Sequence, residues 1–460
     1  MAVTAELPDR FGGTLRVAIV GAGPAGFYAA GALFKQKGLD VRVDMFEKLP
    51  APYGLVRYGV APDHYKIKTV TKVYAKTAVD PRFRFFGNVT YGQDISLEEL
   101  KRYYDQIIFT VGAQSDKKLF VPGEDLDGSH SAREFVNWYN GHPDYSDRSF
   151  DLSHSAAVVV GVGNVALDVA RILAKTPAEL ETTDITDYTL DALRDSQIRD
   201  IYVLARRGPA QVKFTNHEIR EFCELKDATP VTRPIDFEFD PHSRALVESS
   251  SGLRRNVDVL RSFAEETANE TSRRVHFLFQ TSPVEVIGEN CVEGMVVRRN
   301  ELMLKDDGYL QAEPTEETHV IDCGLILRSV GYRGEPLADL PFDGIRGRIP
   351  NQDGRVVDPD SGTKVAGVYV AGWIKRGPSG VIGTNKPDAV ETVHAMFADL
   401  AGLDPCPERA SGVETLLSKR GVDFVDFARW QRINAAEIEA AAGTGRPRLK
   451  RVTRSSLLEV

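Results

Sequence analysis

The run Gly21-Ala22-Gly23-Pro24-Ala25-Gly26 has the residue types and spacing of a pyrophosphate cradle. Gly21 permits a tight turn, Gly23 lets the backbone approach a phosphate, and Gly26 lets a helix lie close against a strand. A helix opening here offers free amide donors and the positive end of its dipole to an anion. Glu47, 21 residues beyond Gly26, stands where a carboxylate accepts hydrogen bonds from a ribose diol. The unit recurs as Gly161-Val162-Gly163-Asn164-Val165-Ala166, with alanine at the third small position. This time the following strand ends in Arg206-Arg207-Gly208 rather than in an acid. A carboxylate would repel a 2′-phosphate, whereas two guanidiniums bind it through bidentate, charge-assisted hydrogen bonds. Two cradles of opposite polarity imply two different dinucleotides, FAD at the first and NADPH, in preference to NADH, at the second.

Each cradle needs a strand before it, then a helix and a second strand. Residues 15–20 read as a buried strand, 25–37 as a helix and 41–47 as the second strand, with a Pro-, Gly- and Tyr-rich loop over 50–66. Further strands are predicted within 83–91 and at 107–111. The second unit reads as strand 156–160, helix 164–174, a polar helical insertion over 176–200 and strand 201–205. A polar helix near 256–270, β-rich stretches at 275–287 and 292–299, and strands at 320–330 and 366–371 follow. The last two end at Gly331 and Gly372, and a helix over 388–400 would point its N-terminus at the flavin. The order predicts an α/β chain, a two-dinucleotide-binding flavoprotein of two Rossmann-like three-layer domains. The NADP domain (116–329) is inserted in the FAD domain (1–115 and 330–460). The Gly-, Pro-, Arg- and Lys-rich tail from 443 is expected to be a solvated surface arm.

The 460 residues are 42% hydrophobic and 27% charged, enough apolar material for two or three cores. A net charge of −9 argues against a general nucleic-acid binder. Cys223, Cys291, Cys323 and Cys406 are widely spaced, with no CxxC, zinc or iron–sulfur pattern. Neither a metal site nor a disulfide framework is expected, and buried, reduced thiols in a cytoplasmic protein are the natural reading. Val17–Phe34 carries no charge over 18 residues, yet its glycines and Pro24 divide it into a strand and a small-residue helix rather than a membrane span. Glu6 and Asp9 ahead of it do not fit a signal peptide.

Longer runs carry a resemblance to the adrenodoxin reductase family of NADPH–ferredoxin reductases, in particular its actinobacterial ferredoxin reductases. They are GAGPAGFYAA (21–30), GLVRYGVAPDH (54–64), DPRFRFFGNV (80–89), GVGNVALDVARIL (161–173), RRGPAQVKFTNHEIRE (206–221), RSVGYRG (328–334) and GWIKRGPSGVIGTNK (372–386). The resemblance implies non-covalent FAD, NADPH as hydride donor and an iron–sulfur ferredoxin as one-electron acceptor, feeding cytochrome P450 or similar redox systems. It implies Ala25, Glu47, Leu55 and Tyr91 at the FAD adenosine and pyrophosphate, and Trp373, Gly380, Val381 and Ile382 at the flavin end. NADP would be held by Val162, Gly163, Asn164, Val165, Arg206, Arg207 and Glu218, with Gly380 near the nicotinamide. His64 and Glu221 match a pair placed beside the flavin–nicotinamide contact. Tyr91 departs from the family's usual valine. Lys117 replaces an arginine that helps hold NADP in close relatives, keeping the charge but losing the planar fork.

Hydride transfer needs two rings held in near-attack geometry. His64 and Glu221 are the candidates for orienting the nicotinamide carboxamide or relaying the accompanying proton. A turn histidine and a solvated helix carboxylate are the plain alternatives. Arg254, Arg255, Arg273, Arg274, Lys375 and Arg376 are candidates for a basic face that docks an acidic ferredoxin. Three other readings fit the same layout. A flavin disulfide or peroxide reductase needs a closely spaced redox cysteine pair, which this chain lacks. Substrate-dependent NADPH oxidation would mark a flavin monooxygenase, and absence of bound flavin a non-enzymatic NADP sensor.

Overall fold

Side-chain alternation along the central strands decides the layers in this computed structural model, which describes residues 8–265, 273–408 and 412–460. In the strand Thr14–Val20, Val17 and Ile19 point to one face, and Ala18 and Val20 to the other. Both faces are covered, as crossover connections between parallel strands require. Seven strands run in the order Asn351–Gln352, Arg355–Val357, Lys364–Val370, Gln106–Phe109, Thr14–Val20, Asp40–Glu47, Phe83–Gly87. Helices Pro24–Leu33 and Asn385–Ala398 close one face through Phe27, Ala30, Val393 and Met396. Leu100 of helix Leu97–Tyr103 and Leu417 of helix Val413–Lys419 close the other.

The second sheet has six strands, in the order Ser129–Ser131, Leu325–Arg328, Ala156–Val160, Asp200–Leu204, Arg273–Leu278, Ala228–Val231. Val159, Val203 and Phe277 pack beneath helix Asn164–Ala174 and Leu260. Val158, Val160 and Leu204 meet Val286, Met295, Val297 and Ile321 on the opposite face. The third layer here is therefore an antiparallel sheet, Thr281–Ile287, Gly294–Leu304 and Leu310–Asp322, rather than helices. The single strand expected over 320–330 is consequently two. Leu310–Asp322 belongs to the antiparallel layer and Leu325–Arg328 to the parallel sheet. The break falls at Gly324, where an added Cβ would lie 2.0 Å from His154 Cδ2.

The chain passes between the two parallel sheets twice, and the passages pair with each other, Ser115–Asp116 antiparallel to Tyr332–Arg333. The loop expected over 50–66 contains the short helix Leu55–Tyr58, and a second, Tyr65–Lys68, begins at its end. The helix expected near 256–270 runs Ser251–Glu265, and the remainder of that range lies outside the described residues.

The basic tail is not a solvated arm. The Lys450 side chain is 1% exposed and lies 3.0 Å from Asp184, a carboxylate it shares with Lys68 at 2.6 Å. Its Nζ also donates to the Asn140 carbonyl at 3.1 Å. Arg446 pairs with Asp187, and Arg448 pairs with Glu437 at 3.3 Å. Asp184 and Asp187 come from a distant part of the chain, so a charge run that reads as solvated packs against partners invisible in its own composition.

Candidate active site

The two cradles are built alike. Val20 is in register with Phe46 and with Phe109, and Phe109 with Val370. Gly21, Glu47 and Gly372 therefore leave the first sheet at one carboxyl edge, where ligands of open α/β sheets bind. The Gly21 amide donates to the Phe46 carbonyl at 2.8 Å, and the Gly161 amide donates to Leu204 at 3.0 Å in the second sheet. Gly21 has φ +106°, and a Cβ on it would sit 2.8 Å from the Thr110 backbone. A Cβ on Gly26 would sit 2.3 Å from the Gly21 carbonyl oxygen. Above Gly23 and Gly163, by contrast, a Cβ would meet nothing within 4 Å. Tight packing below and open space above are what a pyrophosphate needs.

Around the first cradle the Glu47 carboxylate accepts the Ala22 amide at 2.9 Å and the Leu49 amide at 3.2 Å. Burial nonetheless raises its pKa against these hydrogen bonds. Ala25 is buried beneath Gly372, whose Cβ would strike it. Leu55 and Val381 are exposed apolar side chains, at 40% and 52%. Ile382 is half-buried against the core, and Gly380 adopts φ +78° beside Thr384. Trp373 stacks on Tyr332 at 5.8 Å, and its buried indole N–H has no hydrogen-bond partner among the described residues. The Tyr91 hydroxyl donates to the Ala338 carbonyl at 2.7 Å, and its ring packs edge-on against Phe109. The glycine cradle, the exposed apolar side chains and the orphan indole donor fit a flavin dinucleotide.

At the second cradle Asn164 links the turn to the helix Asn216–Arg220. Its Nδ2 donates to Glu218 at 3.2 Å and its Oδ1 accepts the Thr215 amide at 3.0 Å. The Val162 carbonyl accepts the Lys213 amide at 3.3 Å, Val165 is half-buried and Ala166 is fully buried. Arg206 is exposed, and the half-buried Arg207 lies over the Tyr309 ring at 5.1 Å. Arg206 is open to solvent and Arg207 rests on the Tyr309 ring, so both guanidiniums are available to a phosphate. Lys117 is exposed, and its amide donates to Gly331 at 3.0 Å.

Between these halves His64 Nε2 lies 2.7 Å from Glu221 Oε2. Sequence reasoning identified this pair but missed what holds it. Arg171, fully buried, donates to both oxygens of Asp63 at 2.9 Å and to Asp168 at 2.8 Å, and lies 2.8 Å from Glu221. Lys175 adds a 2.8 Å contact to Asp63. Asp168 Oδ1 stands 3.7 Å behind His64 Nδ1. Burial alone would lower the His64 pKa, but the Glu221 hydrogen bond and the charges of Asp168 and Asp63 together outweigh it and the value is raised. Glu221 is lowered, its burial being outweighed by His64 and Arg171. Burial raises Asp168. A signal for this network was present: Asp168 and Arg171 stand at i and i+3 within an otherwise apolar helix, a pairing that buried charge demands.

Other expectations need correction. Arg273 and Lys375 are buried and cannot form a docking face. Arg273 donates to the Ile198 and Lys175 carbonyls, and Lys375 lies 3.2 Å from Asp388. Arg254 and Arg255 are exposed, and Arg274 is exposed and paired with Asp200. The thiols are not all buried: Cys223 and Cys291 are exposed, Cys323 and Cys406 buried, and among the described residues none is in a disulfide. Burial pushes the Cys323 thiol up to about 12, which makes it a poor nucleophile. A folded quadruple Cys→Ser variant should keep NADPH-dependent ferricyanide reduction. Loss of that activity would revive a thiol relay.

Two dinucleotide cradles on two sheets, joined by a buried ion network, define a two-dinucleotide flavoprotein oxidoreductase. A family model for pyridine nucleotide-disulphide oxidoreductases matches residues 15–395, and the chain belongs to that family. It is 45% identical over 452 residues to the NADPH-ferredoxin reductase FprA of Mycobacterium leprae (strain TN), covering 96% of this chain and 98% of the relative. It is 40% identical to the mitochondrial NADPH:adrenodoxin oxidoreductase of Arabidopsis thaliana, covering 96% and 95%. The structure of Mycobacterium tuberculosis FprA in complex with NADPH matches with a TM-score of 0.92 at 44% identity, covering 97% of this chain and 99% of that one. Within the family, then, the chain is an oxidoreductase of the adrenodoxin reductase-like, NADPH–ferredoxin reductase type. No helix among the described residues is long and apolar enough to cross a membrane.

Proposed function

We propose that this chain is an NADPH–ferredoxin reductase that binds FAD non-covalently, takes hydride from NADPH and passes single electrons to an iron–sulfur ferredoxin. The observation that carries the reading is the 2.7 Å contact between His64 and Glu221, which joins the two nucleotide-binding halves. Bound FAD supplies the exchange between a two-electron hydride and single electrons. The chain's own residues do the rest. Arg206 and Arg207 grip the 2′-phosphate, Asn164 and Glu218 shape the turn that receives the pyrophosphate, and Glu47 holds the first ribose. His64 and Glu221 orient the nicotinamide carboxamide and keep a shared proton at Nε2. The division we propose is 1–115 and 330–460 for FAD and 116–329 for NADP, with the paired passages at 115–116 and 332–333 as its seams. Arg254, Arg255 and Arg376 remain the candidates for meeting an acidic ferredoxin, a cytochrome P450 system is the proposed consumer, and the cytoplasm the proposed compartment.

Stopped-flow absorbance of the flavin separates the half-reactions. His64→Gln and Glu221→Ala should slow flavin reduction by NADPH by about 10- to 100-fold, the scale of lost positioning or proton transfer. FAD should stay bound, and reoxidation by ferredoxin should be nearly unchanged. Because the His64 pKa is raised, its charged form is favoured, fully present below the ordinary histidine range and lost as pH rises through the raised value. The natural protein should therefore lose reduction rate along that limb, and His64→Gln should lack it. Unchanged reduction in both variants returns the pair to a turn histidine and a helix carboxylate. A slowed oxidative half alone places them on the ferredoxin side. No NADPH-dependent reduction of any ferredoxin in a panel from the same source would remove the partner from the proposal.

A further inference from the structure

We propose that His64, His217 and Glu221 form a labile site for a borderline divalent transition ion such as zinc, and that its occupation blocks the NADPH side of the reaction. One ligand atom from each of the three residues lies within 4.8 Å of the others. Two imidazoles and a carboxylate make up the donor set of an open tetrahedral zinc site, with the fourth position left to water. His217 and Glu221 stand at i and i+4, so one helical turn brings them together, Nδ1 lying 3.6 Å from Oε1. His64 reaches in from the other half, its ring perpendicular to that of His217 with centroids 5.5 Å apart.

Three features of the surroundings bear on a metal. Asp168 stands behind His64 Nδ1 at 3.7 Å, an arrangement that turns Nε2 forward and makes the imidazole a better donor. Arg171 lies 2.8 Å from Glu221 Oε2 and fixes the carboxylate so that Oε1 faces His217; its charge opposes an added cation, and Asp63 and Asp168, both paired with it, offset that charge. The His217 side chain is 61% exposed against 4% for His64, so an ion can arrive from solvent along His217 and displace the proton shared by His64 and Glu221. Magnesium, which demands octahedral oxygen ligands, does not suit this set. The blockade rests on the function proposed above; the binding does not.

The test is calorimetric titration of zinc into the FAD-loaded, full-length protein beside its His217→Ala and His217→Cys variants. The natural protein and His217→Cys, which restores a zinc ligand, should bind one ion per chain. His217→Ala should bind about 10- to 100-fold more weakly. Without zinc, flavin reduction by NADPH should be the same in all three. At one zinc concentration it should slow in the natural protein and His217→Cys and stay near its metal-free rate in His217→Ala. Equal zinc affinity in the natural protein and His217→Ala overturns the proposal, as does saturating zinc that leaves flavin reduction unslowed. A protein that NADPH fails to reduce even without zinc points instead at the functional reading, and the calorimetric comparison then decides the site alone.

Discussion

Glu437→Ala should destabilise the protein by about 3–5 kcal/mol, the scale of leaving one member of a buried ion pair alone. Arg57 donates to both oxygens of Glu437, at 2.9 and 2.5 Å, and the side chains are 4% and 0% exposed. The guanidinium also lies over the rings of Tyr58 and Trp430, at 5.1 and 5.0 Å, so little water can reach it. Burial alone would lower the Arg57 pKa, but the attraction of Glu437 outweighs it and the value is raised, which keeps the guanidinium charged. Glu437 also accepts the Arg451 amide at 2.9 Å, so the variant frees the tail from the helix Phe427–Ala440 as well. Guanidinium denaturation at saturating FAD measures the loss. Arg448→Met is the control: its partner is the same carboxylate, but the side chain is 24% exposed and the expected cost is about 0–1 kcal/mol. A loss no larger for Glu437→Ala than for the control would show that Arg57 finds another partner.

Arg206→Ala and Arg207→Ala should each raise the NADPH KM by roughly 10- to 100-fold, with little change for NADH. Each guanidinium–phosphate interaction contributes on the order of 1.5–3 kcal/mol, and each 1.4 kcal/mol is about a factor of ten. The 2′-phosphate is the only group that separates the two cofactors, so the ratio of the two KM values reads this contact alone. Arg207 carries an added support in the Tyr309 ring, which presents its face to the guanidinium. Equal losses with NADPH and NADH would mean that the pair shapes the turn rather than holding the phosphate. Steady-state kinetics with both cofactors decides it.

What the amino-acid sequence determined by itself is local. Glycine at 21, 26 and 161 records close packing that a Cβ would break, and glycine at 23 and 163 leaves open the space a pyrophosphate needs, so both cradles are legible where they stand. The aliphatic runs at 15–20 and 156–160 coincide with strands to within a residue. The acid at 47 and the arginines at 206 and 207 stand at the end of the second strand of each unit, which is where cofactor polarity is read without a structure. The tertiary structure alone decided what depends on partners far along the chain. It split 320–330 between two sheets, buried Lys450 against Asp184, and removed Arg273 and Lys375 from the surface. It also set Arg171 among Asp63, Asp168 and Glu221, and brought His217 to His64. A charged side chain has the same type whether solvated or buried; only the position of its counter-ion, fixed by long-range packing, says which it is.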